Sequence, residues 1–246
     1  MIALLAATPL ETRLLRRKLP FRADPLVEGA TFRCRVFRQE LLLAHVGIGI
    51  ASAAIGLTRL LERCHPELLL AFGCGGAYPG SDLLNGDLAL ATCECFGDLG
   101  VAEESGHRPL ADLDLPDMES LFHQQLPLPS RWVDAAAAVL EAAPELQKIR
   151  IARGPCITVN TVSGTPAVCN ALAHRWPGLC ESMEGAALAQ AAAIYDLPLI
   201  EVRGISNPCG SRDRADWDLK AGTEVAQRAV LRLLKDLPDL RRRACS

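Results

Sequence analysis

The sequence predicts a single α/β domain with three layers, in which helices cover both faces of a mixed central sheet. Strand-like apolar segments alternate with helix-like segments along the whole chain. Two of the apolar segments, residues 1–7 and 66–72, are continuous, as in strands that are buried on both faces. A length of 246 residues suits one domain with one core, so we assign residues 1–246 to a single domain.

The first part of the chain predicts a core strand, a helix, a hairpin and two further strands. Thr8 and Pro9 follow the first strand as a helix cap and first-turn proline, which places Glu11 in the first turn of that helix. A turn at Asn85 and Gly86 precedes the last of these strands. The predicted ranges are strands at 1–7, 31–37, 40–46, 66–72 and 86–96, and a helix at 50–64.

The second part begins with residues 97–130, a polar segment with scattered prolines to which we assign no elements. We expect loops there that close over a binding site. The final helix carries apolar residues at the spacing of one buried face, and Arg241 to Arg243 are predicted to form a solvated tail. The predicted ranges are helices at 132–143, 165–176, 183–195 and 217–234, and strands at 149–159 and 198–206.

Composition and charge exclude several classes of function. A formal charge of -3 with 22% charged residues does not indicate a surface that binds nucleic acid. No apolar run has the length of a membrane span. The ten cysteines are scattered, without a Cys-x-x-Cys pair or a complete zinc site. They predict reduced, mostly buried side chains in a cytoplasmic protein. We therefore expect a small-molecule ligand, with no nucleic acid and no membrane as partner.

Polar or glycine-rich segments follow the apolar strands or stand at the beginning of helices, and α/β folds place ligands at such positions. A glycine-rich loop lets backbone N–H groups approach a ligand, although a tight turn is the alternative interpretation. The segment from Gly47 is half of a dinucleotide motif, because Ser52 stands at the third glycine position. The segments predicted to meet at one sheet edge contain Glu11, Gly73 to Gly80, Ser182 to Glu184, and Ser206 with Asn207.

Taken together, the motifs of this chain resemble the nucleoside phosphorylase/hydrolase superfamily. The most specific pair is Met183-Glu-Gly-Ala-Ala187, followed about twenty residues later by Arg203-Gly-Ile-Ser-Asn207. The other matching segments are Val46 to Gly49, Phe72 to Ala77, Gly86-Asp87 and Val162 to Gly164. Within the superfamily the chain is most similar to the futalosine hydrolases of menaquinone biosynthesis, which are relatives of methylthioadenosine/adenosylhomocysteine nucleosidase.

The resemblance implies an enzyme that hydrolyses the N-glycosidic bond of futalosine and releases hypoxanthine and dehypoxanthine futalosine. It implies no metal and no organic cofactor, and it implies a homodimer or larger homo-oligomer. Glu184 matches the glutamate that binds the ribose hydroxyls, and Met183 matches the residue that packs under the ribose. Glu11 matches the glutamate that deprotonates water. The alternatives are that Glu184 only caps its helix and that Glu11 is only a surface charge.

The resemblance also assigns the remaining site residues. Cys74 and Gly75 match the loop along the sugar and the water, and Val162 and Ser163 match the segment that faces the base. Ser206 and Asn207 end their strand at the same site. Phe96 is a candidate for stacking on the base or closing the pocket, with a place in the core as the alternative.

Asn207 stands where adenine-releasing relatives usually carry an aspartic acid. An amide has two N–H donors and no titratable proton, so it suits the N7 and O6 acceptors of a 6-oxopurine such as hypoxanthine. What then activates the leaving base is open, as is the group that binds the carboxybenzoyl tail of futalosine. Arg203 is a candidate to hold this edge. Arg212, Asp213 and Arg214 follow in a loop that is a candidate to order the site, although a solvated charged loop is the favoured interpretation of Arg212 and Arg214.

Other functions stay open at this point. One is a nucleosidase or phosphorylase acting on inosine or on methylthioadenosine/adenosylhomocysteine, and another is a non-catalytic nucleoside-binding protein. The presence of both Glu11 and Glu184 disfavours the non-catalytic protein. Arg59 and Arg63 do not form an obvious phosphate-binding cluster near Gly47, which favours water as nucleophile.

Overall fold

The computed structural model describes residues 1–27, 29–104, 106–113 and 122–245 of the chain. A ten-stranded mixed sheet forms its centre, and a separate two-stranded hairpin lies beside it. The strands are β1 (Ile2–Ala6), β2 (Arg22–Ala23), β3 (Thr31–Val36), β4 (Gln39–His45), β5 (Leu68–Ala77), β6 (Leu88–Phe96), β7 (Gly100–Glu103), β8 (Gly106–Pro109), β9 (Gln125–Pro127), β10 (Ile151–Thr158), β11 (Cys180–Ser182) and β12 (Leu199–Pro208).

The described helices are α1 (Arg13–Lys18), α2 (Ile50–Leu61), α3 (Ser130–Glu141), α4 (Pro166–Arg175), α5 (Gly185–Ile194), α6 (Leu219–Lys235) and α7 (Leu237–Cys245). Six of them form two groups: α2 packs against α5, and α1, α3, α6 and α7 pack together. Helix α6 lies along β12 and β5. The predicted mixed α/β architecture is confirmed.

The strand order explains where a site can form. The sheet runs β11-β10-β6-β12-β5-β1-β4-β3-β2, and β9 is added beside β6. β1, β4, β5 and β12 are parallel neighbours, so their carboxyl ends share one edge. β11 pairs with β10 and also with β5, where Cys180 lies opposite Ala77, so five strands close into a ring. The sequence did not predict this closure, because it depends on a pairing of strands that are distant in the chain.

Several local predictions change in the structure. Thr8 does not cap a helix: a short 3-10 turn at Leu10–Thr12 precedes α1, and Thr8 donates hydrogen bonds to Glu11 instead. Residues 97–130 contain β7, β8 and β9, and residues 114–121 of the predicted closing loops lie outside the described ranges.

The chain end also differs from its prediction. Arg242 and Arg243 are exposed, as predicted, but Arg241 to Arg243 belong to helix α7, whose Leu237 and Leu240 are buried, and do not form a tail. Arg241 donates a 2.5 Å hydrogen bond to Glu67. The helix was missed because the three consecutive arginines obscure the spacing of the apolar residues that face the core.

The ten cysteines are all free thiols, and most of them are buried, as predicted. None of the helices in the described part of the chain is long and apolar enough to cross a membrane.

Candidate active site

One cavity of about 290 Å³ opens at the carboxyl ends of β1, β5 and β12. It brings together side chains that are far apart in the sequence, as the resemblance implies for a nucleoside site. The predicted residues that line it are Glu11, Cys74, Gly75, Val162, Ser163, Met183, Glu184, Ser206 and Asn207. Phe96 is the exception, because its ring is buried and packs against Phe122 with ring centroids 5.6 Å apart. Its position matches the core alternative.

Glu11 is held in place by hydrogen bonds to both carboxylate oxygens. The N–H and hydroxyl of Thr8 each donate to Oε2 at 3.0 Å, and the N–H of Cys74 donates to Oε1 at 3.1 Å. The residue is only 5% exposed, so the surface-charge alternative is wrong. Gly73 is required beside it, because a side chain there would collide with the Glu11 carboxylate.

Glu184 reaches the same cavity from the start of α5. Gly49 N–H donates to its Oε1 at 3.1 Å, and Arg203 Nη1 donates to its Oε2 at 3.4 Å. It makes no capping hydrogen bond to its own helix and is 6% exposed, so the capping alternative is wrong. Burial raises the pKa of this carboxyl, and the charge of Arg203 opposes the shift.

A network of buried charges lies beneath the two cavity carboxylates. Arg203 is 2% exposed and donates from Nε to Glu201 Oε1 at 2.7 Å, in addition to its contact with Glu184. Glu94 accepts a 2.6 Å hydrogen bond from the Thr158 hydroxyl. Burial and the negative charge of Glu201 raise the pKa of Glu94 well above its ordinary value. The network therefore favours the protonated form of Glu94.

Gly185, the first residue of α5, shows how tightly this network is packed. A Cβ at this position would collide with the Glu94 carboxyl and lie 2.6 Å from Glu201 Oε1. The two carboxyl groups thus meet directly beneath the residue that follows Glu184. Two ionised carboxylates in such close proximity would repel each other, which agrees with the raised pKa of Glu94.

At the other end of the cavity, Ser206 and Asn207 are joined by neutral hydrogen bonds. The Ser206 hydroxyl donates to Asn207 Oδ1 at 2.8 Å, and Asn207 Nδ2 donates to the Pro208 carbonyl at 3.0 Å. An amide nitrogen carries two hydrogens, so Nδ2 keeps one for a ligand. The Pro208 carbonyl can only accept, so it fixes which side of the amide carries the nitrogen.

Ser163 is fixed by a third cavity carboxylate, Glu181. Glu181 Oε1 accepts the Ser163 N–H at 2.9 Å, and Oε2 accepts the Ser163 hydroxyl at 2.6 Å. The Tyr78 hydroxyl and the Cys209 thiol lie 3.4 and 3.6 Å from the same Oε2. Burial and the charge of Glu181 raise the pKa of Tyr78, so the phenol stays a donor.

Cys74 faces the cavity beside Glu11, with Sγ 3.8 Å from Glu11 Oε1. Burial, together with the charge of Glu11, raises the pKa of this thiol to about 12. The raised pKa disfavours the thiolate, which is the nucleophilic form of a cysteine side chain.

The mouth of the cavity combines an aromatic ring with a cation. The guanidinium of Arg212 lies 4.8 Å from the ring centroid of Trp217, within the range of a cation–π contact. Trp217 Nε1 donates to the Ser211 carbonyl at 3.1 Å, which fixes the indole. Leu10 and Leu219 add exposed apolar surface at the same rim.

Within the described ranges, no group of three or more His, Cys, Asp and Glu side chains has the arrangement of a metal site.

A family model described as the Phosphorylase superfamily matches residues 1–237. The chain belongs to the phosphorylase superfamily. Its curated relatives include a futalosine hydrolase of Thermus thermophilus, 35% identical over 89% of this chain and 93% of the relative. A futalosine hydrolase of Streptomyces coelicolor is also 35% identical, over 79% of this chain and 77% of the relative. A 5'-methylthioadenosine/S-adenosylhomocysteine nucleosidase of Geobacillus thermodenitrificans is 26% identical over 94% and 95%.

Solved structures share the fold of this superfamily member at low sequence identity. A futalosine hydrolase mutant of Helicobacter pylori superposes with a TM-score of 0.81 at 16% identity, covering 96% of this chain and 98% of that one. The 5'-methylthioadenosine/S-adenosylhomocysteine nucleosidase of Neisseria meningitidis, in complex with methylthio-immucillin-A, gives 0.80 at 18% identity with the same coverage.

Sequence reasoning missed the residues that support the predicted ones. Glu94 and Glu201 are charged side chains inside otherwise apolar strands, and that pattern was the signal that could have found them. Glu181 stands three residues before Glu184 and was not assigned a role of its own. Trp217 and Arg212 gave no signal, because their contact depends on the path of the loop after β12.

Proposed function

We propose that this protein hydrolyses the N-glycosidic bond of futalosine, releasing hypoxanthine and dehypoxanthine futalosine. The observation that carries the proposal is the convergence of Glu11, Glu184 and Asn207 on one cavity. Relatives named futalosine hydrolase at 35% identity over most of the chain support the same substrate.

The two carboxylates suit the charge changes of the reaction. As the C1′–N9 bond breaks, positive charge develops on the ribose and negative charge on the purine. Glu184 accepts hydrogen bonds from the ribose hydroxyls, and its negative charge favours the positive sugar. Glu11 accepts a proton as the water oxygen bonds to C1′. The purine takes the bonding electron pair and gains a proton from solvent, because Asn207 has none to transfer.

Water suits this cavity better than phosphate as the nucleophile. Among the described residues that line it, only Arg212, at the mouth, has a cationic side chain. Arg203 lies beneath the wall and is already paired with Glu201 and Glu184. Arg59 lines a different cavity, beside His45. A phosphate dianion next to Glu11 and Glu184 would therefore meet repulsion without a compensating cation.

The amide of Asn207 favours a 6-oxopurine as the leaving base. The Ser206 hydroxyl occupies Oδ1 and the Pro208 carbonyl accepts one Nδ2 hydrogen, so Asn207 has one N–H left for a ligand, which suits the O6 acceptor of hypoxanthine. The amino group of adenine would present a donor to a donor. A mismatch of this kind costs about 1–3 kcal/mol, or roughly tenfold to hundredfold in rate.

The mouth of the cavity suits the carboxybenzoyl tail that distinguishes futalosine from inosine. Trp217 offers an aromatic face, and Arg212 offers a cation for the carboxylate. Arg212 is exposed, in agreement with the sequence-based interpretation, and its guanidinium also lies over this ring. We further propose that the enzyme acts in menaquinone biosynthesis, in the cytoplasm, as a homodimer or larger homo-oligomer.

The test is hypoxanthine release from futalosine with and without phosphate. Inosine and methylthioadenosine are compared under the same conditions. We expect release from futalosine that does not depend on phosphate and is fastest among the three substrates. Strict dependence on phosphate would show a phosphorylase, and faster turnover of methylthioadenosine would show the adenine-releasing activity instead.

A further inference from the structure

Glu181 is a buried carboxylate whose role the proposed reaction leaves open. It lies on the base side of the cavity, because its carboxylate contacts Ser163 and Cys209, which both line that wall. Its exposure is 7%, which is low for a charged side chain that forms no ion pair with the described residues. A carboxylate in such a place needs hydrogen-bond donors around it.

The donors of this wall are directed to Glu181 and not to the cavity. Both the backbone N–H and the hydroxyl hydrogen of Ser163 point to the carboxylate, and so does the hydroxyl of Tyr78. A ligand at this wall therefore meets acceptor oxygens and no free donor from Ser163. Any base that binds here must bring a donor of its own.

The carboxylate retains room for one more donor. An ionised carboxylate offers about four lone-pair sites. Three of the contacts described above fall on Oε2, whereas Oε1 accepts only the Ser163 N–H among the described residues. Oε1 is thus the oxygen with spare capacity.

We propose that Glu181 is a specificity-determining residue that accepts a hydrogen bond from the N1–H group of a 6-oxopurine. Hypoxanthine carries this N–H, whereas adenine has an unprotonated N1 whose lone pair would face the carboxylate. Glu181 and Asn207 then recognise opposite features of one base edge, the donor at N1 and the acceptor at O6. The inference rests on the proposed function, since it assumes that the base occupies this end of the cavity.

The test compares Glu181→Gln with Tyr78→Phe on futalosine and on its 6-amino counterpart. Glu181→Gln introduces a donor opposite N1–H, so kcat/KM for futalosine should fall about tenfold to hundredfold more than for the 6-amino substrate. Tyr78→Phe removes one support of Glu181 but keeps the carboxylate, so the ratio of the two kcat/KM values should stay unchanged. A merely structural role for Glu181 predicts equal losses on both substrates, and that result would overturn the proposal.

A second measurement uses the unmodified protein and does not depend on the variant folding. Binding of hypoxanthine and of 1-deazahypoxanthine, which lacks the N1–H group, is compared by calorimetry. We expect hypoxanthine to bind about tenfold or more tightly. Equal affinities contradict the role of Glu181 even if futalosine is cleaved, whereas the absence of hypoxanthine release from futalosine contradicts the proposed reaction alone.

Discussion

The ribose end and the base end of the cavity are built from different chemistry. Around the ribose position, Glu11 and Glu184 stand above the ion-paired Arg203 and Glu201, so this end works through fixed charge. At the base end, Asn207 and Ser206 form a chain of neutral hydrogen bonds, and the Glu181 carboxylate accepts hydrogen bonds from Ser163. The difference suits a division of labour in the proposed reaction, in which the end with Glu11 and Glu184 would supply the rate and the base end would select the purine.

Replacing Glu11 is the largest expected perturbation of the charged end. Glu11→Gln keeps the size of the side chain but removes the base that accepts the proton from water, so kcat should fall by about 10² to 10⁴. Single-turnover release of hypoxanthine measures the effect, with Glu141→Gln, an exposed carboxylate on α3, as the control. A variant that retains most of its activity would show that Glu11 does not act on the water.

Glu184→Gln should lower kcat by about 10² to 10³, because a neutral amide no longer stabilises the positive sugar. The loss should be similar for every purine nucleoside that the enzyme accepts, since the ribose is common to all of them. Steady-state kinetics on two nucleosides with different bases measure this. A rise in KM with unchanged kcat would instead assign Glu184 to binding alone.

The two ends also differ in how far the sequence predicted them. Glu11, Glu184 and Asn207 stand in motifs whose spacing is specific, and the structure places all three at one cavity. Arg203 was expected near this edge, but its pairing with Glu201 and Glu184 requires strands and a helix to meet in space. The closure of the sheet by β11 and the burial of α7 were not predicted, because both depend on contacts between distant segments.

At the base end, a single substitution should change the choice of purine. Asn207→Asp introduces a carboxyl that can donate a proton toward N7, so the 6-amino counterpart of futalosine should gain about tenfold to hundredfold relative to futalosine. The ratio of the two kcat/KM values measures the change, and Asp213→Asn, in the exposed loop beyond β12, serves as the control. An unchanged ratio would remove Asn207 from base selection.

The smallest effect on activity is expected at Glu94, a buried carboxyl beneath the charged end whose raised pKa favours its neutral form. The pKa of Glu94 is raised in the folded protein, so unfolding releases its proton at any pH above the ordinary value of 4.5 and below the raised one. Wild-type stability therefore falls as pH rises through that window, whereas Glu94→Gln cannot titrate. Within that pH window, the free energy of unfolding of Glu94→Gln should increase relative to that of the wild type by up to ~1.4 kcal/mol per pH unit. Urea unfolding from pH 5 upward measures this, and a difference that does not change with pH would show that Glu94 is ionised.

The most direct test separates the effect on the rate from the effect on the selection of the base. It measures kcat/KM of the wild type, Glu184→Gln and Asn207→Asp on futalosine and on its 6-amino counterpart. We expect Glu184→Gln to lower both values by the same factor and Asn207→Asp to change their ratio. If Glu184→Gln shifts the ratio as strongly as Asn207→Asp, or if Asn207→Asp lowers both values equally, the two ends of the cavity do not have separate roles.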